Sequence, residues 1–165
     1  MLLRTSQIAV ILTAVALLLS CNGGDDPITD ALVVHGDNSL TASELAMIDR
    51  HNTTRGAQGA GALSANVQLN QIAQNQANYM ADIGNYTHED NQGGHVDDRA
   101  TAVGYTYTRI AENVGYDISS EALYSGWLDS SGHLGNIVNP DYDEIGVGRA
   151  DRGIYQYWSV VFGAQ

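Results

Sequence analysis

Lysine is absent from all 165 residues, cysteine occurs once, at Cys21, and no internal repeat runs through the chain. Each absence excludes something. A single cysteine rules out any intramolecular disulfide, so packing must hold the fold, with or without a metal. The seven basic residues are therefore all arginine, against 19 acids, and a net charge of −12 repels the phosphates of nucleic acid and of anionic lipid headgroups. Nucleic acid is excluded as a partner. The missing repeat argues against a solenoid, and no nucleophile-elbow string is present to mark an α/β-hydrolase. The length left after an N-terminal leader suits one domain with its own core.

The first 20 residues are a different kind of sequence. Arg4 supplies a positive charge, and Ile8 to Leu19 is apolar apart from Thr13. This run falls short of the about 20 apolar residues that a transmembrane helix needs, and it reads as an export signal. Leu18-Leu19-Ser20-Cys21 resembles the bacterial lipobox, in which signal peptidase II cuts before a cysteine that carries diacylglycerol. The alternative is an ordinary signal peptide with an incidental cysteine. Asn22 to Pro27 is small, polar and turn-rich, as a spacer between membrane and domain should be. Asn22, rather than Asp, directly after the cysteine favours the outer membrane where the host has one. The expected organisation is residues 1–20 as signal peptide, 21–40 as lipid-anchored tether and 41–165 as the folded domain.

Thr41-Ala42-Ser43-Glu44 has the form of a capping box and predicts a helix to about Arg55. Glycines from Gly56 to Gly61 break it, and Ser64 is the expected cap of a second helix. Leu69, Ile72, Ala73, Met80 and Ile83 recur on one face of that helix, which Gly84 ends. Asn85 to Arg99 reads as a loop or short helix, and the alternation from Tyr105 to Ile110 predicts a strand. Leu123 and Trp127 belong on a short helix. Glu144–Arg149 and Ile154–Phe162 read as a hairpin turning at Asp151-Arg152-Gly153, with Ile154, Trp158, Val160 and Phe162 on one face. Helices first and a hairpin last imply an α+β domain, its sheet covered by helices.

Five short strings then follow one another in a familiar order. His51-Asn52-Thr53-Thr54-Arg55 resembles the HNxxR segment of the CAP superfamily, the cysteine-rich secretory, antigen-5 and pathogenesis-related proteins, or SCP domains. Tyr79-Met80 with Asn85-Tyr86-Thr87-His88 is similar to the end of that family's second helix and its histidine loop. Ala111-Glu112-Asn113-Val114 matches its GENV string with Ala for Gly, and Trp127 to Val138 resembles its bacterial WxxSxGHxxNI segment. Ile145 to Gly148 and Tyr157-Trp158 to Phe162-Gly163 complete the order, so the likeness spans about Thr41 to Gly163.

The resemblance implies an α-β-α sandwich with a central antiparallel sheet, and a cleft holding His88, Glu112 and His133. Neutral imidazoles ligate zinc or another divalent metal, and a nearby carboxylate can orient an imidazole, bind the metal or hold a water as general base. Two histidines alone make an open site. Ser130 stands where eukaryotic members add a second glutamate, and Asp129 on a helix would point about 100° away from that position. The first expectation is a lipid-anchored envelope protein, held to the membrane through Cys21, whose cleft binds a lipid, a peptide or an envelope partner without turnover. The second is a metal-dependent hydrolase with His88 and His133 as ligands and Glu112 as base. Ser130 and Ser131 beside His133 raise a serine-hydrolase alternative, with Glu112 as third member. His51, Asn52, Arg55 and Asn113 are expected to be structural, His95 to be solvated, and His35 to belong to the tether. Mass spectrometry of the mature N-terminus is expected to find Cys21 as its first residue, carrying diacylglycerol; a bare thiol there would remove the anchor.

Overall fold

The computed structural model describes residues 39–165; the expectations attached to Cys21, Asn22 and His35 lie outside the described residues. The capping box predicted at Thr41 is present, with the Glu44 amide donating to Thr41 Oγ1 at 3.3 Å and the Thr41 amide donating to the Glu44 carboxylate at 2.8 Å. It opens helix α1, Ala42–Ala57. Met47, Ile48, His51 and Arg55 form its buried stripe, at the spacing of one helical face. Next come a two-residue strand β1 (Ser64–Ala65), helix α2 (Val67–Ile83) and a short helix α3 (Val96–Ala102). Strand β2 (Arg109–Asp117) leads to helices α4 (Ser120–Asp129) and α5 (Ser131–Val138), and the hairpin of β3 (Glu144–Arg152) and β4 (Tyr155–Ala164) ends the fold.

The strands lie in the order β1-β3-β4-β2, with β2, β4 and β3 antiparallel and β1 parallel to β3. Successive side chains of β4 point to opposite faces and so serve two layers. Trp158, Val160 and Phe162 pack with Met47, Leu123, Trp127 and Ile137 from α1, α4 and α5. Val161 faces the other way, onto Leu69, Ile72 and Ala73 of α2 and Ala100 of α3. The result is the expected α-β-α sandwich. On the α2 side the contact is backbone to backbone: a Cβ at Gly146 would stand 2.1 Å from the Leu69 carbonyl carbon, and one at Gly148 2.3 Å from the Gln74 amide. Those two glycines let α2 lie directly on β3.

Four expectations change. Ser64 does not cap α2. It pairs with Glu144 in β1, and Asn66 caps the helix, its side chain accepting from the amides of Gln68 and Leu69 at 2.9 and 3.2 Å. Tyr105 to Thr108 precede the strand, which starts at Arg109 and runs through the whole Glu-Asn string; Tyr105 is buried because its hydroxyl donates to Glu144 at 2.6 Å. Ile83 has the right helical phase for burial but is 45 % exposed, at the last turn of α2. Ile154 is 72 % exposed, because β3 continues to Arg152, pairs with Tyr155 and leaves Gly153-Ile154 as the turn. In both cases periodicity names a face without saying how far the neighbouring element extends.

The HNxxR residues hold α1 to the rest. Asn52 exchanges two hydrogen bonds with the backbone of Leu63, at 2.8 and 3.1 Å. The fully buried guanidinium of Arg55 donates to the carbonyls of Gly61, Ile137, Asn139 and Tyr142 at 2.6 to 2.9 Å. His51 Nδ1 donates to the Met47 carbonyl at 2.7 Å, leaving Nε2 as a bare acceptor among Tyr124, Trp127 and Phe162. Burial pushes its pKa down from 6.5 to about 4. An unfolded chain therefore takes up a proton at His51 that the folded chain refuses, and stability drains as the pH falls from 6.5 towards 4. That loss is about 3 kcal/mol at order of magnitude. Unfolding free energies from urea denaturation between pH 7 and pH 4 are expected to fall by this amount, and less steeply in His51→Phe.

Candidate functional site

Glu112 and Asn113 are neighbours on β2, so their side chains leave opposite faces of the sheet. Each positions one histidine. Glu112, whose side chain is 1 % exposed, accepts from His88 Nδ1 at 3.0 Å through Oε2. Its Oε1 accepts from Arg99 Nη2 at 3.0 Å and from the Ser159 hydroxyl at 2.9 Å. Asn113 donates to the His133 carbonyl at 3.1 Å and accepts from Asn136 at 2.9 Å, which ties the first turn of α5 to the strand.

The His88 loop has no regular structure of its own and is held by its carbonyls. Gln76 on α2 donates to Thr87 O and Glu89 O at 2.7 and 3.1 Å, while Arg99 on α3 donates to His88 O at 3.3 Å. Arg99 also donates to the Gln76 side-chain oxygen. Gln76, Arg99, Glu112 and Ser159 thus form a buried network between four elements, α2, α3, β2 and β4, and the loop, and it leaves the His88 imidazole half exposed with only Nδ1 engaged. Its Nε2 is the nitrogen available to a ligand.

The two histidines share a cleft of about 480 Å³, bounded by Tyr86, by Val114 to Asp117 along the outer edge of β2, and by Leu123, Trp127 and Ser130. His133 packs 6.3 Å from the Trp127 ring, and its Nδ1 is buried without a hydrogen bond. Burial first, and then the neighbouring His88, lower its pKa below 6.5, so it is neutral at neutral pH. A separate cavity of about 420 Å³ lies between α2 and the Asp90 loop and contains neither histidine.

Of the sequence-predicted trio, His88 and His133 line the cleft, whereas Glu112 bonds His88 and is not part of the lining. Glu112 has both oxygens committed, so the donors facing the cleft are imidazole nitrogens. Among the described residues no three His, Cys, Asp or Glu side chains form a metal-holding group. Two imidazoles facing one cleft do not make a closed structural centre, which takes four protein ligands. Ser130 lines the cleft, yet neither its hydroxyl nor that of Ser131 bonds His133, and Asp129 is not part of the lining. His95 begins α3, with its amide donating to Asp98 and its ring exposed. Sequence reading missed Gln76, Arg99 and Ser159. They lie 11 to 47 positions from their partners, and nothing local marks them.

A three-layer fold with this Glu-Asn couple setting two histidines on a shared cleft is that of a CAP domain. The family model described as cysteine-rich secretory protein family, CAP, matches residues 48–162, and the chain belongs to that family. It is 28 % identical over 117 residues to Uncharacterized protein YkwD of Bacillus subtilis (strain 168), covering 70 % of this chain and 46 % of that protein. Uncharacterized membrane protein YlbC of the same organism matches at 28 % over 116 residues, covering 70 % of this chain and 33 % of that one. The chain thus spans less than half the length of these curated relatives. Among solved structures, an extracellular protein containing a SCP domain from Bacillus anthracis str. Ames superposes with a TM-score of 0.68 at 22 % identity, over 77 % of this chain and 45 % of that one. An outer surface protein from Borrelia burgdorferi gives 0.70 at 19 %, over 77 % and 96 %. These likenesses establish the fold.

Removing one partner of a buried ion pair strands the other charge, at a cost of about 3–5 kcal/mol. Arg99→Met is expected to destabilise by that order in urea denaturation. The double variant Arg99→Met, Glu112→Gln is expected to recover much of the loss.

Proposed function

We propose that this chain is an exported bacterial protein, lipid-anchored through Cys21 to the cell envelope, whose CAP domain binds a lipid, a peptide or an envelope partner in the His88–His133 cleft without turning it over. The observation that carries the reading is the state of Glu112. A general base must offer a carboxylate oxygen to the water or substrate it deprotonates, and both oxygens of Glu112 are already engaged by Arg99, Ser159 and His88. What remains toward the cleft is recognition chemistry: aromatic and aliphatic walls from Tyr86, Leu123 and Trp127, with imidazoles as the polar contacts. Export accords with the leader sequence and with relatives described as an extracellular protein, an outer surface protein and a membrane protein. Asn22 favours the outer membrane where one exists.

In the same reading, His88 and His133 take one zinc or other divalent ion weakly. When bound, such an ion would polarise a ligand oxygen; the chain's own contribution is to hold two imidazole nitrogens, one ring oriented by Glu112. The competing reading, a metal-assisted hydrolase in the same cleft, draws on that open pair of imidazoles but needs a base other than the committed Glu112.

Zinc titration by calorimetry at neutral pH, on chain beginning after Cys21, is expected to show binding near one equivalent that His133→Ala abolishes. Affinity should fall on acidification, since the nitrogens must be unprotonated to bind; the lowered pKa of His133 places its share of that fall below pH 6.5. The zinc-loaded protein is expected to leave peptide and ester substrates intact. Hydrolysis that disappears in His88→Ala, His133→Ala would replace the binding reading with the hydrolase.

A further inference from the structure

Six of the eight large hydrophobic side chains that the described residues expose lie at one end of the sheet. Ile83 is 45 % exposed, Tyr86 58 %, Tyr116 36 %, Ile118 60 %, Ile154 72 % and Tyr155 42 %. They adjoin one another. Tyr116 is the hub, with ring centroids 6.2 Å from Tyr86 and 5.4 Å from Tyr155, and Ile118 follows it just beyond the end of β2. Ile83, Ile154 and Tyr155 line a shared hollow beside Arg152. Scattered exposed apolar residues are ordinary, whereas a contiguous set marks a contact surface. The turn sharpens the point, for Gly153 takes a left-handed φ of 62° and the most exposed residue of the six sits at the hairpin tip instead of a polar one.

We infer that this surface is a membrane-docking face, which seats the domain on a zwitterionic phospholipid bilayer. The order of side chains matches the depth profile of an interface. Aliphatic Ile154 projects at the tip, and tyrosines stand behind it, with apolar ring bodies and polar hydroxyls suited to the headgroup level. The charges select the lipid. Asp82 and Asp117 adjoin the surface in sequence, Asp151 is paired with Arg149 at 2.9 and 3.0 Å, and the guanidinium of Arg152 is turned back onto the carbonyls of Ala81 and Asp82 at 3.0 and 2.9 Å. An anionic headgroup would meet Asp82 and Asp117, with both nearby guanidiniums already bonded.

The chain preceding the described residues identifies the occupant. Roughly 18 residues separate Cys21 from Ser39, and even a fully extended chain of that length reaches at most about 60 Å. A lipid on Cys21 therefore confines the domain near the bilayer, where a weak docking face acts as an intramolecular contact. The inference rests on the lipid-anchor reading for that confinement. Tyr86 and Tyr116 also border the histidine cleft, so a seated domain opens the cleft beside the bilayer surface.

The test uses the single thiol. Chain from Cys21 to Gln165 retains every core cluster found among the described residues, since these lie between Leu40 and Phe162. Cys21 is coupled to maleimide lipid in phosphatidylcholine vesicles, and amide hydrogen exchange is compared with that of the uncoupled chain in solution. The expected result is at least threefold slower exchange confined to Ile83–Tyr86, Tyr116–Ile118 and Arg152–Tyr157. Ile154→Asp with Tyr155→Ser, at exposed positions that leave the core intact, should abolish it. In phosphatidylglycerol vesicles the protection should be weaker and should recover as added salt screens the repulsion. Unchanged exchange in the coupled wild type overturns the proposal. So does protection of these segments by soluble glycan fragments and not by vesicles, which would make the tyrosines a sugar platform. Because the coupling is chemical, the result does not depend on whether Cys21 is lipidated in the cell, and failure of the anchor is told apart from failure of the docking face.

Discussion

The buried carboxylate of Glu112 is the constraint from which the site follows. An ionised group with a side chain 1 % exposed is tolerable only when charge and hydrogen bonds compensate it. Arg99 supplies the charge, and Ser159 and His88 supply further hydrogen bonds. To deliver that guanidinium, α3 must pack against β2, and Arg99 on arrival also binds Gln76 and the His88 carbonyl. The geometry of an irregular loop is thereby set by helices and strands on either side of it. His88 is held because Glu112 must be satisfied.

The same strand solves the matching problem on its other face. Asn113 points into the layer of α4 and α5 and binds the His133 backbone, so adjacent residues of β2 serve opposite layers of the sandwich. A one-residue slip in the pairing of β2 with β4 would exchange them, placing the carboxylate against α5 and the amide against Arg99. Arg55 plays a comparable role for α1, closing three loop carbonyls and one at the end of α5 with one guanidinium. With no disulfide available to the chain, buried arginines do the cross-linking that cysteines provide in many secreted domains.

These supports also determine what kind of chemistry the cleft offers. Its acid is spent on structure, and its histidines face a wall of tyrosine, leucine and tryptophan. Recognition by shape and apolar contact, with an imidazole or a weakly held ion as the polar element, uses everything present. An exposed tyrosine and isoleucine surface is continuous with that wall.

Much was legible before any fold was known. The capping box at Thr41, the long helix from Leu69 to Met80 with its glycine stop, the final hairpin and the ordered family strings depend on local spacing, and each is present in the structure. The trio His88, Glu112 and His133 came from those strings and not from spacing, since its members lie 21 to 45 positions apart. Local pattern misplaced Ser64, Ile83, Tyr105 and Ile154, because exposure depends on where a neighbouring element stops and which strand lies alongside. By itself the sequence determined the first two helices, the hairpin and the family, properties carried by neighbouring residues and their order. Only the tertiary structure decided that Glu112 is an anchor for His88 and that Gln76, Arg99 and Ser159 hold it, because a carboxylate's role depends on which groups fill its lone pairs, and those groups come from distant parts of the chain.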